Sequence, residues 1–523
     1  VKIKKAAFVV CFICLLAGCN PQSAGHPESG DEAAKPAPPV QENPFGAEAI
    51  ATDKLLGAPL YKNPARGAAH MMRASDGFYY AYDGDASNWT INRSKNGTSW
   101  QNLGKGKAYP NGTWGKANFW VPEVIEYEGK YYMYYCARID ADTPSSRIGL
   151  AIRDSPLGPF KDIGQPLFDG TEMEDWHVID PNPFIDPDTG KKYMYFVKDG
   201  SLYSYYNKDL KKDVQESRIF GIELSDDMLS VVGHPVELII PSQDWEYKSY
   251  TINHKSRLWN EAPEMLKHDG MYYLMYSANM FSNQYYAIGY AKSNSPLGPF
   301  VKDDNNPVIS SVGTIQKAGH NSIIKSPDGS EYFTSYTTLK NGRFISRIGF
   351  RHDGTLYVNG PIASYQLMPS GTTDFVNAAK TAKITVSSTK PNYRAEAMND
   401  GEIGIYDRYE AYEWASSGEK AGAAVQLTWD QPHTIEYILI YNSAVKSRMI
   451  KSGTVVLNGN AQEAIHGINF SANSDPAVLH FAEGKQVTGI RFVVDELADA
   501  GGTAGLSEIV VLEKKTSESQ QVE

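Results

Sequence analysis

Five segments of this chain repeat one pattern, and the pattern restricts the fold more than any single residue does. They begin at His70-Met71-Met72-Arg73, Pro122-Glu123-Val124-Ile125, Pro181-Asn182-Pro183-Phe184, Pro263-Glu264-Met265-Leu266 and His320-Asn321-Ser322-Ile323. Each runs as an apolar strand, then an acidic or polar turn with a glycine (Gly77, Gly129, Gly190, Gly270, Gly329), then an aromatic strand such as Tyr131-Tyr132 or Tyr272-Tyr273. The glycine supplies the positive φ that a tight hairpin turn needs. The copies start about 50–80 residues apart, a period that fits four-stranded propeller blades. A second pair of strands, Ile148-Gly149-Leu150-Ala151 and Ile288-Gly289-Tyr290-Ala291, each runs into a Pro-Leu-Gly-Pro turn. The expected fold is all-β: a five-bladed β-propeller over residues 49–372, with the first strand of every blade around one axis.

From 376 to 514, strand-length apolar or alternating runs such as Ala424-Val425-Gln426-Leu427-Thr428-Trp429 and Ile435-Glu436-Tyr437-Ile438-Leu439-Ile440 are separated by turn residues. They predict a β-sandwich. The polar residues 515–523 read as a disordered tail. At the other end, Lys2, Lys4 and Lys5 precede a short apolar run, Ala6 to Leu16, and then Leu16-Ala17-Gly18-Cys19. The run is too short to span a membrane as a helix. The segment 1–19 reads as a lipoprotein signal with Cys19 as the lipidated residue. Residues 20–48, rich in Pro, Ala, Ser, Gly and Glu, read as a flexible linker. These features predict an exported cell-envelope protein, held to the membrane only by its lipid anchor, and a monomer. Of four cysteines only Cys136 lies beyond the signal, so the processed chain has no pair for an internal disulfide.

A net charge of −11, with no basic cluster in the body of the chain, argues against nucleic acid as a partner. The abundance of tyrosine, 33 against 19 Phe and 9 Trp, suits strands and also suits surfaces that bind sugar.

The residue preceding each opening His or Pro is Ala69, Val121, Asp180, Ala262 or Gly319, and one earlier stand Ala68, Trp120, Ile179, Glu261 and Ala318. Two blades thus carry a carboxylate, Asp180 and Glu261, where the others carry small or apolar residues. One such acid has a structural explanation. Two around one axis fit acid–base chemistry, in which neighbours push pKa values apart.

Trp120-Val121-Pro122, Ile179-Asp180-Pro181, Glu261-Ala262-Pro263, Gly319-His320-Asn321-Ser322 and Val358-Asn359-Gly360-Pro361 together resemble glycoside hydrolase family 43. That resemblance implies an inverting glycosidase that removes arabinofuranosyl or xylosyl units from arabinan, arabinoxylan or xylo-oligosaccharide. Glu261 is then the general acid and Asp180 the residue that tunes it. Trp120, Trp176 and His70 are expected to bind substrate. His320 is expected near the axis, against substrate and a bound cation. No cofactor is required for the chemistry. The family's general base, an Asp in blade 1, aligns with Ala69. Asp83, Asp85, Glu123 and His70 are the alternatives as base. The other outcomes are a surface glycan-binding lipoprotein with little or no hydrolysis, and an exo-acting galactan hydrolase.

The C-terminal segment, through Ile384-Thr385-Val386-Ser387-Ser388, Ala397-Met398-Asn399-Asp400-Gly401 and Gly505-Leu506-Ser507-Glu508-Ile509, resembles the discoidin or galactose-binding-like sandwiches. In that fold the Asp-Gly loop often holds a structural Ca2+, which makes Asp400 a candidate ligand.

Overall fold

The structure, a computed structural model, describes residues 47–49, 60–63, 70–83, 89–105, 110–173, 177–248, 251–252, 255–312, 315–338, 342–403, 412–471 and 475–514. The signal segment with Cys19, the tail 515–523, and Ala69, Asp85 and Trp176 lie outside these residues. Among the described residues the only helical turns are short 3-10 segments; the rest of the regular structure is strand.

Five inner strands, His70–Arg73, Ala117–Tyr127, Val178–Ile185, Lys255–His268 and Gly319–Lys325, touch one another in cyclic order and close a ring. Each begins an antiparallel blade. Blade 1 continues with Tyr79–Asp83, Thr90–Ser94 and Gln101–Lys105, and blade 5 with Tyr332–Thr338, Gly342–Phe350 and Leu356–Val358. The five hairpin glycines all have positive φ, between 70° and 84°. In blades 2 and 4 the preceding residue is also left-handed (Glu128, φ 49°; Asp269, φ 47°), so both central turn positions are. That conformation matches the twist of the two strands it joins.

The ring is closed by an early segment of the chain. Leu60–Lys62 pairs with Tyr365–Leu367, and the Asn63 side chain donates to the carbonyls of Ile345 and Ile362. Blades 3 and 4 are joined in a second way. The blade 3 strand Lys212–Leu224 extends past its neighbours, and Val214–Ser217 pairs in parallel with Ser256–Trp259 of the blade 4 inner strand. The two blades thereby form one ten-stranded sheet.

The C-terminal domain folds long, bent strands, Ala424–Asn442 and Ala477–Leu497 among them, over a core that includes Trp414, Trp429, Ile438, Phe492 and Val511. Residues 47–49, at the end of the segment expected to be a linker, are a strand of this sheet and pair with 479–481. Their composition reads as tether, but backbone pairing along a sheet edge asks little of side chains. The domain packs on the propeller through the ion pair Arg351–Glu402 (2.6 Å), Tyr441 donating to the Tyr365 carbonyl (2.8 Å) and a cluster that includes Leu60, Tyr365, Tyr437 and Leu439.

Candidate active site

The inner strands are bulged at one end, and the bulges are where the chemistry collects. The ladder slips between Ile179 and Asn182, between Glu261 and Glu264, and between Gly319 and Asn321. At these slips Asp180, Ala262 and His320 take φ of 50°, 50° and 49°. Left-handed conformations are costly for residues other than glycine, so the surrounding sheet must hold them. A bulge bends the strand and re-aims its side chains. In blade 5 the residue matching Asp180 and Ala262 is therefore His320, not Gly319 as the sequence alignment had it. Asn321, not His320, therefore stands where blades 3 and 4 have Pro181 and Pro263.

Asp180 and Glu261 come together. Asp180 Oδ2 accepts the backbone N–H of Ala262 at 3.1 Å. Burial, opposed by the Ala262 N–H and reinforced by the charge of Asp199, raises Asp180 to about 7. Burial, then the charges of Asp180 and Asp199, raise Glu261 to about 8 against the lowering effect of the Tyr286 and Trp259 side chains. Two neighbouring carboxylates with raised affinity for protons can keep one carboxyl protonated at neutral pH, the condition for a general acid. Tyr286 packs where Gly319 has no side chain: a Cβ there would lie 2.0 Å from the ring. Ser277, across the ladder from Glu261, accepts the N–H of His320 at 2.8 Å.

Trp120 lies at the slip in blade 2, half-buried, with its ring 6.4 Å from that of His177. His177 is buried; its Nδ1 accepts the Ser146 N–H, and its Nε2 is 4.0 Å from Asp199. His320 is half-buried, and its pKa falls to about 4 through burial and the charges of Arg343 and His70. It is a neutral imidazole at the pH of interest. Among the described residues no three His, Cys, Asp or Glu side chains converge as a metal-binding group, at His320 or elsewhere. Asp400 pairs with Arg394 at 2.8 Å and accepts the Glu402 N–H.

Two of the alternative bases belong to a different layer. His70, Glu123, Asn182, Glu264 and Ser322, one from each blade, form a closed ring of buried polar side chains. The Asn182 amide donates to Glu123 at 2.7 Å and to Glu264 at 2.8 Å. Glu264 also accepts the Ile323 N–H at 2.8 Å. Ser322 Oγ is 3.5 Å from His70 Nδ1, which is 3.9 Å from Glu123. His70 Nε2 is bound to the Val124 carbonyl at 2.9 Å. His70 and Glu123 are thus committed to this axial ring rather than open to a ligand. Four of its members follow the residue that opens their repeat or its neighbour (Pro122-Glu123, Pro181-Asn182, Pro263-Glu264, Asn321-Ser322), a recurrence of polar residues on a core strand that could have been read in the sequence. Asp83 is placed differently. Tyr82 pairs with His70, so Asp83 ends its strand on the bulged side, half-exposed, with Oδ1 3.4 Å from Nη2 of Arg343.

Residues 62–356, more than half of the chain, match the family described as Glycosyl hydrolases family 43. The chain belongs to that family. Residues 377–512 match a domain of unknown function, DUF7402. A solved thermostable family-43 glycoside hydrolase is 37% identical, with a TM-score of 0.52; the alignment covers 60% of this chain and all of that one. The chain is 31% identical to a xylosidase/arabinosidase of Bacteroides ovatus over 36% of its own length and 56% of the relative's. It is 30% identical to extracellular endo-α-(1→5)-L-arabinanase 1 of Bacillus subtilis (strain 168), over 50% of its own length and 69% of the relative's. It thus spans just over half the length of the first of these curated relatives. The Asp180–Glu261 pair identified from the sequence stands in the family-43 propeller. Trp259, Tyr286, Asp199 and Arg343 were not foreseen. They come from a strand extension, a loop, a strand end and an outer strand, none of which carries a repeat signal.

Proposed function

We propose that this family-43 protein is an inverting glycosidase that releases terminal arabinofuranosyl or xylosyl units from plant polysaccharide or its oligosaccharides. The observation that carries the proposal is the pairing of Glu261 and Asp180 at the bulged ends of adjacent inner strands, with the proton affinity of both raised. Glu261 gives its proton to the glycosidic oxygen as the C1–O bond breaks. Water attacks C1 from the opposite face and loses a proton to the base. Asp180 keeps Glu261 protonated through its charge and holds the strand through the Ala262 N–H. An inverting pair needs acid and base roughly 6.5–9.5 Å apart to admit the water. Asp83 is the base in this proposal, held by Arg343 from the neighbouring blade. Supporting it, His70 and Glu123 are bound into the axial ring. The lipid anchor at Cys19 is part of the same proposal and rests on the Leu16-Ala17-Gly18-Cys19 pattern. It predicts that Cys19→Ser moves the protein out of the membrane fraction.

Ala69 favours a second proposal, a glycan-binding protein with little or no hydrolysis. One experiment separates the two. The protein is incubated with arabinan, arabinoxylan, xylo-oligosaccharides and galactan, and the anomer of any released sugar is read by NMR. An inverted monosaccharide supports the enzyme. Glycan binding without release supports the binding protein.

A further inference from the structure

The Glu261 side of the pocket carries a surface that the hydrolysis of a small glycoside does not use. Tyr203, Tyr205, Tyr206, Tyr247, Phe281 and Tyr285 are between 36% and 59% exposed. All six lie in segments that leave the pocket end of blades 3 and 4. Lys192–Lys198 runs toward that end, since Val178 pairs with Lys198, and residues 199–211 follow it. Met271–Ala278 also ends there, since Glu261 pairs with Ser277, and the segment of Phe281 and Tyr285 follows. Tyr247 lies in the turn just before the blade 4 inner strand, which starts from that end.

Two arms connect these rings to Glu261. Along one, the Trp259 side chain lies close enough to Glu261 to lower its proton affinity, and the Arg257 guanidinium sits 5.1 Å over the Trp259 ring. Arg257 donates to Gln215 at 3.0 Å, and Gln215 donates to the Ser201 carbonyl at 2.6 Å. Beyond it the Tyr205–Asn207 strand pairs with Lys212–Val214, and Tyr205 donates to Glu216 at 2.8 Å. Along the other, Tyr286 packs on Gly319 and its side chain lowers the proton affinity of Glu261, and Tyr285 and Phe281 lie in the same loop. Asn279 fixes that loop by donating to the carbonyls of Trp245 (2.8 Å) and Tyr285 (3.0 Å). Both arms are braced by side-chain hydrogen bonds, so the exposed rings stand on ordered supports.

A general acid must touch the oxygen that leaves, so whatever is attached to that oxygen emerges beside it. We propose that the two arms form a platform for the leaving-group portion of a polysaccharide, several consecutive sugar units that stack their CH faces on these rings. The platform selects polymers over substrates with a small leaving group. The direction of the chain across it rests on Glu261 being the acid.

The test uses the full chain with Tyr206→Ala and Phe281→Ala, one from each arm and both on exposed side chains. Two readouts are taken. The first is kcat/KM on linear arabinan and on xylan relative to that on 4-nitrophenyl α-L-arabinofuranoside and β-D-xylopyranoside. The second is retardation in native gels containing arabinan, arabinoxylan, xylan or galactan, measured in the Glu261→Gln background. The expected result is a fall of about tenfold in the polymer-to-aryl ratio, expressed in KM, together with lost retardation. A ratio within about twofold of the parent's and unchanged retardation overturn the platform. If the parent protein releases no sugar from any probe, the hydrolase proposal fails and retardation alone decides. Its loss in either variant then keeps the platform as a glycan-binding surface; its persistence removes it.

Discussion

Asp180 reaches from blade 3 to accept the N–H of Ala262 at 3.1 Å, and Ala262 is the residue that follows Glu261. The contact makes the tuning carboxylate part of the backbone that presents the acid. Substituting Glu261→Gln removes the proton donor and is expected to lower kcat/KM on natural substrates by about 10²–10⁴-fold. The loss should shrink on aryl glycosides whose leaving group needs no proton. Equal loss on both would assign Glu261 another role.

The pH profile reports on the same pair. Glu261 holds its proton up to about 8, so activity falls as pH rises through that value. The Asp180 charge is one of the causes, so Asp180→Asn moves the alkaline limb toward lower pH. An unmoved limb in the residual activity of Asp180→Asn would separate the two carboxylates.

Asp83→Ala is expected to cost about 10²–10⁴-fold in kcat, with partial recovery in azide and formation of an inverted glycosyl azide. Asp85→Ala serves as the comparison. Near-parental activity in Asp83→Ala, or azide rescue in Asp85→Ala alone, would move the base elsewhere.

Gly319→Ala brings a Cβ to 2.0 Å from the Tyr286 ring, and the ring is fully buried, with little room to move. The expected cost is about 1–3 kcal/mol in stability, typical of overpacking, with a fall in kcat at unchanged fold. Urea unfolding and kinetics on one aryl glycoside measure both. Pairing the variant with Tyr286→Phe shows whether the hydroxyl or the ring position matters.

The axial ring predicts how stability depends on pH. Burial raises Glu264 from 4.5 to about 8, so between those values the folded chain keeps a proton that the unfolded chain releases. Stability from this group therefore falls as pH rises through that window. Glu123 is raised by burial and by the charge of Glu264 and acts in the same sense. His70, lowered from 6.5 to about 4, acts in the opposite sense, and its effect is complete by neutral pH. Glu264→Gln is expected to raise the melting temperature relative to the parent by on the order of a few degrees at pH 8–9 and by less at pH 5. A constant difference across pH would show that Glu264 is not the titrating group.

The strand–turn–strand copies were legible because each turn needs a glycine, and all five glycines have the expected positive φ. Asp180 and Glu261 were legible because a carboxylate on an otherwise apolar inner strand breaks its local pattern. His320 was misaligned by one because blade 5 has Asn321 in place of the proline that marks the register in blades 3 and 4. Trp259 and Tyr286 were missed for a different reason. Trp259 belongs to a strand extension and Tyr286 to a loop, and both reach Glu261 through three-dimensional placement that no spacing encodes. Glu123 was a fair candidate base by charge alone; burial and the Asn182 amide are what assign it to the ring.

The parallel pairing of Val214–Ser217 with Ser256–Trp259 has a mechanical meaning. Among the described residues, blades 2 and 3 share the single main-chain bond from Val178 to the Ser146 carbonyl, whereas blades 3 and 4 are stitched by a four-residue ladder. Asp180 and Glu261 therefore stand on one continuous sheet, whereas Asp83 and Arg343 face each other from the separate sheets of blades 1 and 5. The spacing between the two carboxylates is thus set within a single sheet and not across a seam between sheets.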